Sequence, residues 1–155
     1  MNIEQRQQEI IDQFADMDEW LDRYAYIIDL GRELPQIDEK LKTPQHKIEG
    51  CQSSVWIDAR LDENGRIHFT VRSGRSPFTA DADALIVKGI ISMILQVLND
   101  STPQEILDAN LHFIDDIGLS ENLSPTRSNG VLAMLKQIRM YALAFKAIQT
   151  SKDKQ

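Results

Sequence analysis

A single cysteine, Cys51, sits in the stretch "QHKIEGCQSSVWIDARL" at 45–61, between Gly50 and a run of small polar residues. A thiol reacts as its thiolate. The free thiol's pKa of about 8.5 must be lowered by positive charge or backbone donors before it attacks at neutral pH. Lys47 favours the thiolate, Glu49 opposes it, and Gly50 gives the backbone freedom to shape a loop around the sulfur. A free cysteine is also commonly a small buried hydrophobe. The local sequence leaves these two readings level. One cysteine closes no intrachain disulfide. With scattered histidines it supplies too few soft ligands for a metal or iron–sulfur site, so the chain is not expected to hold a metal or cluster itself.

A cysteine hydrolase would need a histidine base. Of the three histidines, His46 shares the Cys51 stretch, His68 falls on a predicted strand and His112 in a helical region. Nothing in the sequence orients any of them, so each is expected to be solvated or partly packed. Asp81 and Asp83 precede an apolar helical run, where they are expected to cap the helix and complement its positive end. Arg127 falls in the first turn of the last helix, where the dipole disfavours a cation by about a few tenths of a kcal/mol. An internal carboxylate such as Asp81 or Asp83 is the expected compensation, ahead of an anionic group on a partner.

The elements that position these residues follow from periodicity. Ile3, Ile10, Ile11 and Phe14, then Leu21, Tyr24, Ile27 and Ile28, recur at helical spacing. The turn "ADMDEW" should split them into two helices with Asp16 or Asp18 as cap, and Gly31 reads as a stop signal. Residues 32–50 read as an extended loop. Val55, Ile57 and Ala59 then alternate with Trp56, Asp58 and Arg60. "ENG" at 63–65 turns the chain, with Asn64 and Gly65 tolerating positive φ, and Ile67, Phe69 and Val71 return on a second strand. Phe78–Ala80 is a candidate third strand.

From Asp81 to about Asn99 the period is helical and apolar nearly all round, which predicts a helix at the centre of the core. Thr102, Pro103 and Glu105 form a helix start with a capping box, and Ser124–Pro125 repeat the start signal. The last helix should turn Val131, Leu132, Leu135, Ile138, Ala142 and Phe145 inward. The predicted class is α+β: N-terminal helices, a small antiparallel sheet of two to three strands, and C-terminal helices. One domain over 1–155 is expected, with a flexible tail at 149–155.

Composition narrows the function classes. The chain has 155 residues, 42% of them hydrophobic, enough for one core that buries roughly two-thirds of the unfolded surface. A net charge of -7 disfavours nucleic acid as a partner. The N-terminus lacks the layout of a signal peptide, and the longest apolar run is too short for a membrane span and is interrupted by Lys88. A cytoplasmic protein that keeps Cys51 reduced is expected.

Three ordered stretches resemble the signatures of the SufE family: "GCQSSVW" at 50–56, "DADALIVKG" at 81–89 and "LSPTRSNG" at 123–130. "WLDRYAYIIDLGRELP" at 20–35 and "TPQHKIEGC" at 43–51 are similar to its N-terminal half, so the likeness runs from Trp20 to Phe145. The resemblance implies an α+β fold similar to the IscU-type cluster scaffolds, without their metal-binding cysteines. It implies that Cys51 accepts a sulfane sulfur from the persulfide of a SufS-like cysteine desulfurase and passes it to a SufBCD-like scaffold complex. The pyridoxal phosphate of that reaction resides on the desulfurase, so no cofactor and no independent turnover are expected here. Gly50, Gln52, Asp83 and Arg127 match motif positions and become candidates for supporting or docking roles.

Two departures accompany the likeness. Ala82 stands where the family usually has serine, and "TVRSGRSPFTADAD" lengthens the loop at 72–80. Two other readings compete: a desulfurase-binding module that stimulates without carrying sulfur, and delivery to a different acceptor in a parallel desulfurase system. A stand-alone thiol enzyme ranks behind both. A homodimer is compatible with these patterns.

Overall fold

A computed structural model describes residues 1–34, 55–73 and 82–153. Its elements run α1 (Ile3–Ala15), α2 (Trp20–Arg32), β1 (Val55–Leu61), β2 (Ile67–Ser73), α3 (Ala82–Leu98), α4 (Pro103–Asp108), α5 (Phe113–Asp116), α6 (Leu119–Asn122) and α7 (Pro125–Asp153). The fold is α+β, as the periodicities require. The candidate strand Phe78–Ala80 lies outside the described residues. Residues 149–153, assigned to a flexible tail from sequence, continue helix α7.

Helix α3 is the axle. Ile86, Ile90, Ile91, Met93, Ile94, Val97 and Leu98 are all 2% exposed or less and face different neighbours around its circumference, which an amphipathic helix could not do. Helix α2 crosses it at two glycines. A Cβ on Gly31 would lie 2.2 Å from the Leu85 carbonyl oxygen, and one on Gly89 would lie 2.1 Å from that of Ile27. The sequence-based reading of Gly31 as a helix stop is therefore wrong. Helix α2 runs on to Arg32, and Gly31 is kept small by the backbone of α3.

The other end of α2 also departs from expectation. Its N-cap is Glu19, which makes no side-chain capping bond, while Asp16 ends α1. Arg23 compensates from within the helix. It donates to the carbonyl oxygens of Met17 at 2.8 Å, Phe14 at 3.3 Å and Ile117 at 2.8 Å, tying the end of α1 and the end of α5 to α2.

The hairpin pairs antiparallel in the register Val55↔Ser73, Ile57↔Val71, Ala59↔Phe69 and Leu61↔Ile67. Val55, Ile57, Ile67 and Phe69 form its buried face. Only Gly65 takes positive φ in the turn, at 77°, so Asn64 does not need the conformation that the sequence suggested for it. Asp62 Oδ1 instead shapes the turn by accepting the backbone N–H groups of Asn64 at 2.8 Å and Arg66 at 2.9 Å.

Strand β2 does not end the sheet with bare donors. Ile67 N–H reaches Ser101 O at 2.7 Å, Asp100 N–H reaches Ile67 O at 2.9 Å, and Phe69 N–H reaches Asn99 Oδ1 at 2.7 Å. Residues 99–101 thus cover that edge. Arg6 of α1 closes the C-terminus of α3 by donating to Val97 O at 3.0 Å, to Ser101 Oγ at 3.0 Å and to the Asn99 carbonyl oxygen. A cation at this helix end also suits the dipole.

Helix α4 begins with the capping box that the sequence predicts, Thr102 with Glu105 behind Pro103. On α7, Val131, Met134, Ile138 and Ala142 are buried, but Leu132 is 62% exposed. The inward stripe is centred on Met134 and Ile138 instead, which displaces Leu132 to the outer face. Tyr141 joins α7 to the hairpin by donating its hydroxyl to Ile57 O at 3.1 Å and meeting the Phe69 ring edge-on at 6.4 Å. Burial pushes its phenol pKa up, so it stays a donor at any physiological pH.

Candidate functional site

Cys51, Gly50, Gln52, His46 and Asp81 lie outside the described residues. The frame around them is described. The chain re-enters it at Val55, fully buried, four residues after Cys51. The Val55–Ser73 pair closes the hairpin end from which both flanking connections depart, and α3 begins at Ala82. The motif at 81–89 therefore continues into the central helix. Gly89 at its end has a packing reason, since only hydrogen fits against Ile27 O.

Asp83 and Arg127 are placed by their backbones. Asp83 is the second residue of α3, and Arg127 is the third of α7. Both thus stand in the first turn of their helices, as the sequence predicts for Arg127, whereas Asp83, read from the sequence as preceding the apolar run, lies within α3. Helices α3 and α7 pack on each other through the core that holds Met134 and Ile138.

Two histidines lie among the described residues; both are partly packed, as expected, and each is oriented by carboxylates not anticipated from the sequence. His68 Nε2 lies 2.6 Å from Asp62 Oδ2 and 3.8 Å from Asp100 Oδ1. His112 Nδ1 lies 2.5 Å from Asp116 Oδ2, while its Nε2 lies 2.6 Å from Glu4 Oε1. The Asp116 contact, followed by that of Glu4, raises the His112 pKa above its ordinary value. The backbone N–H of Arg66 and then the contact with His68 hold the Asp62 carboxyl below its ordinary value. The i,i+4 spacing of His112 and Asp116 and the placing of Asp62 and His68 on either side of one short turn were visible signals. Asp100 and Glu4, which reach their histidines from far along the chain, had none.

Both described histidines are thus engaged by carboxylates. The profile of the SufE family, described as "Fe-S metabolism associated domain", matches residues 8–142. The chain belongs to the SufE family. An uncharacterized SufE-like protein of Rhizobium etli is 41% identical over 133 residues, covering 84% of this chain and 85% of that protein. A hypothetical protein of Thermus thermophilus, solved in solution, superposes with a TM-score of 0.63 at 16% identity, over 92% of this chain and 96% of the other. That likeness concerns the fold. Membership of the SufE family associates the chain with Fe–S metabolism. Among the described residues no helix is long and apolar enough to cross a membrane.

Proposed function

We propose that this SufE-family protein is a sulfur relay: Cys51 accepts persulfide sulfur from a cysteine desulfurase and hands it to an iron–sulfur cluster scaffold. The observation that carries the reading is the family match over residues 8–142, which contains the chain's one cysteine. The Cys51 thiolate attacks the outer sulfur of the desulfurase persulfide. A new S–S bond forms to Cys51, the old S–S bond breaks, and the desulfurase cysteine leaves as thiolate. No oxidant is consumed, because one persulfide is exchanged for another. A second exchange of the same kind delivers the sulfur to an acceptor thiolate on a SufBCD-like scaffold.

Such a step depends on thiolate fraction and access, and it needs no histidine base within the chain. This suits a molecule whose described histidines are occupied with carboxylates. A buried hairpin end at Val55 gives the Cys51 segment a firm base, and four extended residues span at most about 14 Å from it. Asp83 and Arg127, in the first turns of α3 and α7, are candidates for docking or for support of the thiolate. Pyridoxal phosphate stays on the desulfurase.

Incubation with a SufS-like desulfurase and free cysteine, followed by intact mass spectrometry without reductant, tests the relay. One added sulfur is expected on the wild-type chain and none on Cys51→Ser. The Cys51→Ser chain is also expected to lose stimulation of the desulfurase. A wild-type chain that gains no sulfur while the desulfurase turns over refutes the relay. Stimulation that survives Cys51→Ser would assign a regulatory module instead.

A further inference from the structure

We propose that Asp62, His68 and Asp100 form a binding site for one borderline divalent cation of the first transition row, such as Zn2+, at the corner joining the hairpin to the end of α3. The site is independent of the sulfur-relay reading. Its three donor atoms, Asp62 Oδ2, His68 Nε2 and Asp100 Oδ1, lie within 4.8 Å of one another. A cation held at about 2.0–2.2 Å from each ligand sets neighbouring donors roughly 3.3 Å apart. The present separations of 2.6 and 3.8 Å around His68 Nε2 bracket that distance.

The decisive feature is that both carboxylates converge on the same ring nitrogen. His68 Nε2 can carry one hydrogen, which serves Asp62 and leaves Asp100 Oδ1 at 3.8 Å, beyond hydrogen-bond range. A cation placed between the three atoms serves all of them. Nearby arginines do not pre-empt it. Arg66 donates to the Asp100 carbonyl oxygen at 2.7 Å, and Arg6 donates to that oxygen at 3.3 Å, leaving the Asp100 carboxylate open.

The ligands are also pre-positioned by their supports. Asp62 Oδ1 accepts two backbone N–H groups of the turn, which leaves Oδ2 aimed at His68. Such outer contacts to a ligating carboxylate tune metal affinity. Asp100 is fixed beside β2 by its N–H bond to Ile67 O at 2.9 Å, and it holds φ at 59°, a left-handed conformation that aspartate and asparagine adopt more readily than most residues. An imidazole with two carboxylates selects a borderline ion over Mg2+ or Ca2+, which favour all-oxygen shells. Water would complete the coordination.

The test uses the full chain carrying Cys51→Ser, so that the thiol cannot bind the probe. Zn2+ alone is titrated by calorimetry, and the His68 ring resonances are followed by NMR. One saturable Zn2+ per chain is expected, with the His68 ring signals shifting and those of His112 unmoved. Adding His68→Gln, or separately Asp100→Asn, should weaken binding about tenfold or more. Asparagine keeps the left-handed preference, so Asp100→Asn leaves the fold intact and guards against a misfolding artefact. Absence of saturable binding, a smaller loss in both variants, or Ca2+ binding as tightly as Zn2+ overturns the proposal.

Discussion

His68 and His112 each meet two carboxylates, and the two arrangements have opposite consequences. At His112 the acids stand at opposite ring nitrogens, Asp116 on Nδ1 and Glu4 on Nε2. One proton on each nitrogen satisfies both, so the ring works as a charged clasp between α1 and the 110–116 segment. At His68 both acids compete for Nε2. The same residue types therefore make a proton-filled link in one place and a convergent donor set in the other. Which nitrogen each carboxylate faces decides the chemistry, and composition alone does not.

The clasp also differs in what lies beneath it. Gln7, 1% exposed, accepts from Phe113 N–H at 3.1 Å and donates to Asn110 O at 3.0 Å, directly under the His112 contacts. Gln7→Ala should give the largest effect, because it strands a buried donor and acceptor. A loss of about 2–3 kcal/mol, or about 5–10 °C in melting temperature, is expected by calorimetry. A loss as small as that of a surface substitution would show that water replaces the amide and that the clasp has no buried footing.

Asp62→Ala should be the next most damaging, since it removes the acceptor that shapes the hairpin turn. Asp62→Asn keeps an oxygen for the turn and should cost less. Because the folded-state pKa of Asp62 is depressed, its ionised form stabilises the protein above the ordinary carboxylate value of about 3.9 and that contribution fades as pH falls below it. Denaturant melts between pH 6 and pH 3 should therefore be flatter in Asp62→Asn than in wild type.

The smallest effect falls on His112→Gln. The folded-state pKa of His112 is raised, so its contribution is complete below the unfolded value of about 6.5 and is lost as pH rises through the folded value. With the ring side chain 31% exposed, about 0.5–1 kcal/mol is expected at pH 6 and progressively less in alkaline buffer. A wild-type stability that does not decline over that range relative to His112→Gln would break the contrast between the two histidines.

Much of the scaffold was legible before the structure, and the reasons are local. The apolar circumference of α3, the alternation of β1 and β2 and the Thr102–Glu105 capping box are written within single elements. What the sequence misplaced depends on distant partners. Gly31 looks like a stop because glycine ends helices locally, whereas its reason here is the Leu85 carbonyl on another helix. Leu132 fits the α7 period by hydrophobicity, yet Met134 and Ile138 take the inward stripe.

The histidine partners divide in the same way. Asp116 sits one turn from His112, and Asp62 lies across a short turn from His68. Glu4 and Asp100 arrive through the packing of α1 and the end of α3, which no local spacing encodes. Cys51 lies outside the described residues, and only its motif, not its packing, singles it out.

The glycine crossing of α2 and α3 carries a mechanical consequence. Two helices separated by leucine or methionine side chains can slide, since flexible side chains repack at low cost. Gly31 and Gly89 remove that lubricant and set each backbone against the other's carbonyl oxygens, 2.2 and 2.1 Å from where a Cβ would be. The pair has no slack in either direction. Asp83 stands two residues before Leu85, one of the atoms in that contact, so its place on the frame is registered to α2. The start of α3 is thereby a fixed datum rather than a sliding one.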